Sequence, residues 1–173
     1  MKEDLNKFLD IAKEAAILAG DFLAKSVNGD FKILHNKGRD LKLQTDQDAE
    51  DLIKDHIQSK SILPILAEES GISEEPEDLF WVIDPLDGTS NYLRGIPISC
   101  VSIALMHKLE PVLGVIYDFN NNDLYFGHQK SKAFVNDQAI QVSSLSLKNE
   151  STLVTGIPAK TNYSDEEFYQ LIS

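Results

Sequence analysis

Asp84 and Asp87 stand three residues apart in Trp81-Val-Ile-Asp-Pro-Leu-Asp-Gly-Thr-Ser-Asn91, directly after an apolar run, Phe80–Ile83, that reads as a buried strand. A carboxylate is costly to bury, and two at the mouth of a core strand are hard to explain by packing. Two more acidic sites fall at the ends of expected elements: Asp46 at the start of a helix, and Glu68-Glu69 after Ile62–Ala67. Strand ends that neighbour one another in a sheet can bring these acids together. Carboxylates about 4 Å apart repel by roughly 4 kcal/mol per pair at an effective dielectric of 20, and a divalent cation reverses that sign.

The donors are oxygens, with no His or Cys nearby, and such a set selects a hard ion. Magnesium, Mg2+, is usual where the ion keeps waters and meets a substrate phosphate. Pro85 fixes the backbone after Asp84, so the Leu86 carbonyl can turn toward the same ion. Gly88 lets the chain approach a ligand closely, and Gly88-Thr89-Ser90 can open a short helix whose first N–H groups receive a phosphate. Together these features read as a metal-assisted phosphate site. Each acid alone has a plainer explanation, since Asp-Pro and Asp-Gly are turn dipeptides, Asp46 can cap its helix and Glu68-Glu69 can be a solvated loop. Their joint occurrence is harder to explain that way.

Two other patterns lead nowhere. Asp118-Phe-Asn-Asn-Asn122 resembles the start of a calcium loop, but Asp123 holds the required glycine position and Gln129 the required Glu position, so a hairpin turn is expected. The four His residues, at 35, 56, 107 and 128, show no zinc spacing. Lys37 reads first as a solvated surface charge.

The elements that must position the acids follow from periodicity. Leu5, Phe8, Leu9, Ala12, Ala15, Ala16, Ala19, Phe22 and Leu23 make one stripe of a long helix closed near Gly29. A second helix starts at about Thr45 or Asp46, with a capping residue there and with Ala49, Leu52, Ile53, His56 and Ile57 on one face. Between them lies a polar connection, Lys32–Gln44. Strands are expected over Ile62–Ala67, Leu79–Ile83, Cys100–Met106, Val112–Tyr117 and Leu124–Gly127. The short loops His107–Pro111 and Asp118–Asp123 demand antiparallel hairpins. The fold class is therefore α+β, two N-terminal helices on a mostly antiparallel sheet. Leu153-Val154 reads as another strand, and Ser164–Glu167 as a capping box whose apolar continuation has barely begun when the sequence stops. The expected organisation is an α+β metal- and phosphate-binding domain over 1–150 and the truncated start of a second α/β domain over 151–173.

Composition bounds the rest. Asp plus Glu outnumber Lys plus Arg by 28 to 16 over 173 residues, a formal charge of −12 that repels phosphate backbones and anionic lipid, so neither nucleic acid nor membrane is an expected partner. The single Cys100 excludes a disulfide framework and reads as a small core residue. Met1–Phe8 lacks an apolar signal region and Ala15–Gly20 is too short to span a bilayer, which makes the cytoplasm the default location.

At these residues the sequence resembles the inositol monophosphatase family of magnesium-dependent, lithium-sensitive phosphatases. The matching pieces are Lys37, Thr45-Asp46 with Glu50, Ala67-Glu-Glu-Ser70, Trp81–Thr89, Asn91-Tyr92, Gly95-Ile-Pro97, Val101–Leu105 and Pro111–Asp118. The resemblance implies a layered αβαβα sugar-phosphatase fold of which this chain supplies the first half. It implies Glu68, Asp84 and the Leu86 carbonyl as ligands of one magnesium and Asp84 and Asp87 as ligands of a second. It further implies Gly88 and Thr89 as a phosphate cradle, with Glu68, Leu86 and Asp87 beside the substrate, and Thr89, Glu68 and Asp46 as the group that activates water. The implied activity is hydrolysis of an inositol phosphate or related sugar phosphate, and similar proteins are often homodimers.

Two departures from the family pattern stand out. The family's late Asp ligand lies beyond residue 173, and Lys130-Ser-Lys132 replaces glycines before the Ala133-Phe134 hairpin. Alternatives are a 3'(2'),5'-bisphosphate nucleotidase, a fructose-bisphosphatase and an inactive, truncated metal-binding module. Gly88-Thr-Ser-Asn-Tyr92 favours the inositol phosphatase over the nucleotidase.

Overall fold

The structure, a computed structural model, describes residues 5–27, 29, 31–37, 40–72 and 78–144. Helix α1 spans Leu5–Ser26 and turns Leu9, Ile11, Ala12, Ala15, Ala16, Ala19 and Leu23 inward. The small residues let the helix lie close on its partners: a Cβ built on Gly20 would stand 2.3 Å from the Tyr117 ring. The expected polar connection is instead an antiparallel hairpin, β1 Ile33–Lys37 and β2 Asp40–Leu43, forming a sheet of its own. In β2, Asp40-Leu-Lys-Leu43 alternates, and Leu43 is buried in the core with Leu41 packed against it, whereas Ile33 and Leu34 of β1 are exposed. The side chain of Lys37 lies outside the described residues.

Helix α2 spans Gln44–Gln58 and has Leu43, not a polar residue, at its N-cap. Asp46 sits at the third helical position and returns Oδ2 to the Leu43 N–H, which donates at 2.9 Å. The expected cap is thus half realised, by a carboxylate reaching backwards. The buried face of α2 is Asp46, Ala49, Glu50, Ile53 and Ile57. Leu52 and His56 are only half-buried.

Eight further strands make one sheet: β3 Ile65–Ala67, β4 Gly71–Ile72, β5 Leu79–Asp87, β6 Cys100–His107, β7 Glu110–Asp118, β8 Asp123–His128, β9 Ala133–Val135 and β10 Gln138–Ile140. Their order is β10-β9-β8-β7-β6-β5-β3-β4. Every neighbouring pair is antiparallel except β3 with β5. Two expected boundaries move. The strand read from Ile62 begins at Ile65, since Pro64 lacks a ladder donor and Ile62 is fully exposed. The strand read as ending at Ile83 runs on to Asp87.

One face of this sheet carries Trp81, Ile83, Val101, Ile103, Leu105, Leu113, Val115 and Tyr117 into a core shared with α1 and α2. Trp81 is fully buried, edge-on to Phe8 at 5.8 Å, with its Nε1–H donating to Ser61 Oγ at 3.2 Å. The other face leaves Ile116, Tyr125 and Ile140 exposed. The expected α+β layering is therefore present. Among the described residues no helix is long and apolar enough to cross a membrane. The expected strand at Leu153-Val154, the capping box at Ser164–Glu167 and the second domain from 151 lie outside the described residues.

Candidate metal centre

The parallel pair β3–β5 builds the site. Ala67 of β3 is in register with Ile83 of β5, so the residues that follow, Glu68 and Asp84, stand side by side at the same end of the parallel pairing. The Glu68 N–H donates to the Ile83 carbonyl at 3.2 Å and extends the pairing by one step. In an antiparallel pair the two strands would finish at opposite edges.

A bulge then brings Asp87 round. Asp84 pairs with Ser102 and Asp87 with Cys100, so three steps on β5 match two on β6. Residues three apart on a regular strand face opposite sides; the extra residue restores the parity, and Asp84 and Asp87 share the face of Ser102 and Cys100. Pro85 falls inside the bulge, where a missing donor costs least. The Leu86 N–H donates to Asp84 Oδ1 at 3.1 Å across it.

After Asp87 the chain turns sharply. Gly88 adopts φ 92°, ψ 33° as the N-cap of α3, Thr89–Leu93. A Cβ there would stand 2.7 Å from the Ile98 carbonyl oxygen, so both conformation and space call for glycine. Thr89 Oγ1 donates to the Leu86 carbonyl at 3.1 Å, and the buried Tyr92 hydroxyl donates to the Leu23 carbonyl at 2.7 Å, tying this turn to α1.

The carboxylates feel one another. Asp84 is pushed up to about 8, first by burial, then by its hydrogen bond with the Glu68 carboxyl and by the charges of Glu68 and Asp87, against the Leu86 N–H. Asp46 is pushed up to about 7 by burial and by the charges of Glu69 and Glu68, while the Leu43 N–H holds it down. Among the described residues two buried carboxylate oxygens, Asp46 Oδ1 and Glu50 Oε1, have no hydrogen-bond partner, and the second lies 3.6 Å from Lys54 Nζ. Such a region gains from added positive charge.

The expected convergence of Glu68, Asp84 and Asp87 is only partly realised. Glu68 and Asp84 meet directly, whereas exposed Asp87 reaches Asp84 through its field and lies 3.9 Å from Cys100 Sγ. Among the described residues no three acidic, His or Cys side chains are gathered in a geometry ready to hold a metal ion. The donor set, all oxygen and short of positive charge, still fits a hard divalent cation.

Thr89 and Asp46, grouped by the family pattern, have separate partners, Leu86 and Leu43. Cys100 is not a core residue; it lines, with Asp87, Gly88, Asn91, Ile98 and Asp118, an open concavity of about 490 Å³. Burial and the charges of Asp87, Asp84 and Asp118 push its thiol up to about 12, which makes a nucleophilic thiolate unfavourable. Sequence alone assigns Glu50 no role, yet it is a fully buried acid beside the site. Its signal is the spacing: Asp46, Glu50, Ile53 and Ile57 fall on one helical stripe.

Comparison with known proteins agrees with this architecture. The family model described as "Inositol monophosphatase family" matches residues 4–170. The chain is 39% identical over 157 residues to an inositol-1-monophosphatase of Synechocystis, covering 88% of this chain and 54% of that protein. It is 33% identical over 164 residues to a fructose-1,6-bisphosphatase/inositol-1-monophosphatase of Aquifex aeolicus, covering 92% of this chain and 61% of that protein. The solved inositol monophosphatase of Anabaena superposes with a TM-score of 0.71 at 36% identity, covering 83% of this chain and 52% of the other. The chain thus spans between half and two thirds of the length of these relatives. By sequence pattern, by fold and by similarity, it belongs to the inositol monophosphatase family.

Proposed function

We propose that this chain carries the metal- and phosphate-binding part of a magnesium-dependent phosphomonoesterase acting on an inositol phosphate or a related sugar phosphate. The observation that carries the reading is the pairing of Glu68 with Asp84 at the parallel strand ends, with Asp87 brought to the same side by the bulge. Glu68, Asp84, Asp87 and the Leu86 carbonyl would hold the metal. Bound there, magnesium supplies positive charge that acidifies water and offsets charge on the phosphoryl and leaving oxygens. The turn at Gly88 and Thr89 would receive the phosphate, since the first amides of a helix have no partner within it. Glu68, the Thr89 hydroxyl and Asp46, whose Oδ1 is buried without a partner, would orient the attacking water and take its proton. Water adds to phosphorus in line, the ester P–O bond breaks, and the sugar oxygen leaves with a proton, giving alcohol and inorganic phosphate.

A second substrate, fructose 1,6-bisphosphate, is favoured by the name of the Aquifex relative. Phosphate release from inositol 1-phosphate and from fructose 1,6-bisphosphate, with millimolar magnesium, tests both readings when the chain is compared with Asp84→Asn. Release well above the variant's identifies the substrate. Equal rates from the two proteins on both substrates defeat the proposal that this chain is catalytic.

A further inference from the structure

We propose that Glu50 is a positioning residue that aims the Glu68 carboxylate at the metal centre; the proposal rests on the reading of Glu68 as a metal ligand. Glu50 lies on α2 with none of its surface exposed. Its Oε2 accepts the Glu69 N–H at 2.8 Å. On the other side of the same residue, the Glu68 N–H donates to the Ile83 carbonyl. The two amides that flank the Glu68 Cα are therefore both held, one by β5 and one by Glu50, which fixes the direction in which the Glu68 side chain leaves the backbone. That direction is toward Asp84.

The neighbours of Glu50 extend the clamp. Its Oε1 is 3.6 Å from Lys54 Nζ, one helical turn on, and Lys54 Nζ donates to Ser70 Oγ at 3.0 Å. Lys42 holds the Glu69 carboxylate at 2.7 Å. Glu68–Ser70 is thus tied to β2 and α2 at three points, all outside the acids that would meet the ion. A buried carboxylate is an expensive way to satisfy one backbone N–H, because a neutral amide oxygen would accept the same bond at a lower desolvation cost. Its negative charge strengthens that bond and answers the Lys54 ammonium. Groups that orient ligands in this way typically cost 10–100-fold in metal affinity when removed.

The test uses Mn2+ as the probe ion, read by the electron paramagnetic resonance of the free ion, together with hydrogen exchange at the Glu69 amide in the metal-free chain. Wild type, Glu50→Ala, Glu50→Gln and Asp84→Asn are compared. Glu50→Ala should bind Mn2+ about 10-fold more weakly or worse, and its Glu69 amide should exchange faster. Glu50→Gln, which keeps an acceptor oxygen, should recover most of both. A purely structural Glu50 would lower thermal stability and leave affinity unchanged, so a folded Glu50→Ala with wild-type Mn2+ affinity overturns the proposal. Should Glu50→Ala fail to fold, Glu50→Asp decides: it keeps the charge but loses the reach, and wild-type affinity with a fast Glu69 amide overturns it equally. Wild type that binds Mn2+ no better than Asp84→Asn removes the metal centre instead, and the role with it, while the amide exchange still reports what Glu50 does to the backbone.

Discussion

Asp84 and Asp118 each sit at or near the end of a long strand of the same sheet, and their carboxylates meet different partners. Asp118 closes the antiparallel β7–β8 hairpin and is consumed by its own turn: Oδ1 accepts the N–H groups of Asn120 at 3.0 Å and Asn121 at 3.2 Å, and Oδ2 accepts Asn121 Nδ2 at 2.7 Å. Asp84 has the Leu86 N–H and then meets a second acid, Glu68. Topology makes the difference. A hairpin folds back at once and offers its own amides to the acid, whereas parallel strands end on a common edge and set their terminal residues beside one another. An acid is quiet in the first setting and needs a countercharge in the second.

The largest expected consequence is a pH dependence confined to the parallel end. Asp46 and Asp84 hold their protons up to about 7 and about 8 in the folded chain, against an ordinary value of 3.8. Between those limits the folded state binds more protons than the unfolded state, so stability falls as pH rises. In the metal-free chain the contribution is complete below about pH 4 and is lost as pH passes 7 and then 8. Thermal denaturation in chelator from about pH 4.5 to about pH 8.5 should show the decline, and millimolar magnesium should restore stability most at the alkaline end. A flat profile, with or without magnesium, contradicts the electrostatic account of the site.

Next in size is Gly88→Ala. The new methyl meets the Ile98 carbonyl oxygen at 2.7 Å on a backbone already at φ 92°. A loss of about 2 kcal/mol is expected from strain at such a position, visible as a lower urea midpoint. Gly114, on the antiparallel side, has nothing within 4 Å of where an alanine methyl would stand and should tolerate that substitution far better.

The two ends also differ in how far their residue patterns disclose them. Val101-Ser-Ile-Ala-Leu105 alternates and is an antiparallel strand whose inward residues, Val101, Ile103 and Leu105, are buried. The turns at Lys108 and Asn120 are fixed by their shortness alone. The parallel pair is not legible, since β3 has only three residues and the choice of its neighbour depends on contacts far along the chain. The bulge is hidden because Asp-Pro-Leu-Asp has the composition of a loop, and only pairing with β6 shows it continuing the strand. Glu50 shows in the sequence only as a piece of the family pattern, and its burial does not, for a related reason: residue type places an acid on the solvent face, whereas here it accepts the Glu69 N–H. Local chemistry marks the acids, and long-range pairing decides which of them meet.

The sharpest break of the contrast puts the two carboxylates to the same test. Asp84→Asn and Asp118→Asn make the same change, carboxylate to amide, at the two ends, and should move stability in opposite directions. At about pH 8.5 in chelator, Asp84→Asn removes a charge that Glu68 and Asp87 oppose and keeps an oxygen for the Leu86 N–H, so the variant should be more stable than wild type. At about pH 5 the folded wild-type group is already protonated and the gain should be much smaller, disappearing only below about pH 4, where the unfolded carboxyl is protonated too. Asp118→Asn leaves an amide facing Asn121 Nδ2, donor against donor, and should lose about 1 kcal/mol at either pH. Magnesium separates the pair again, because it should stabilise wild type and Asp118→Asn but not Asp84→Asn. Two variants that shift together, in sign and in response to magnesium, would mean that strand topology does not decide what these carboxylates do.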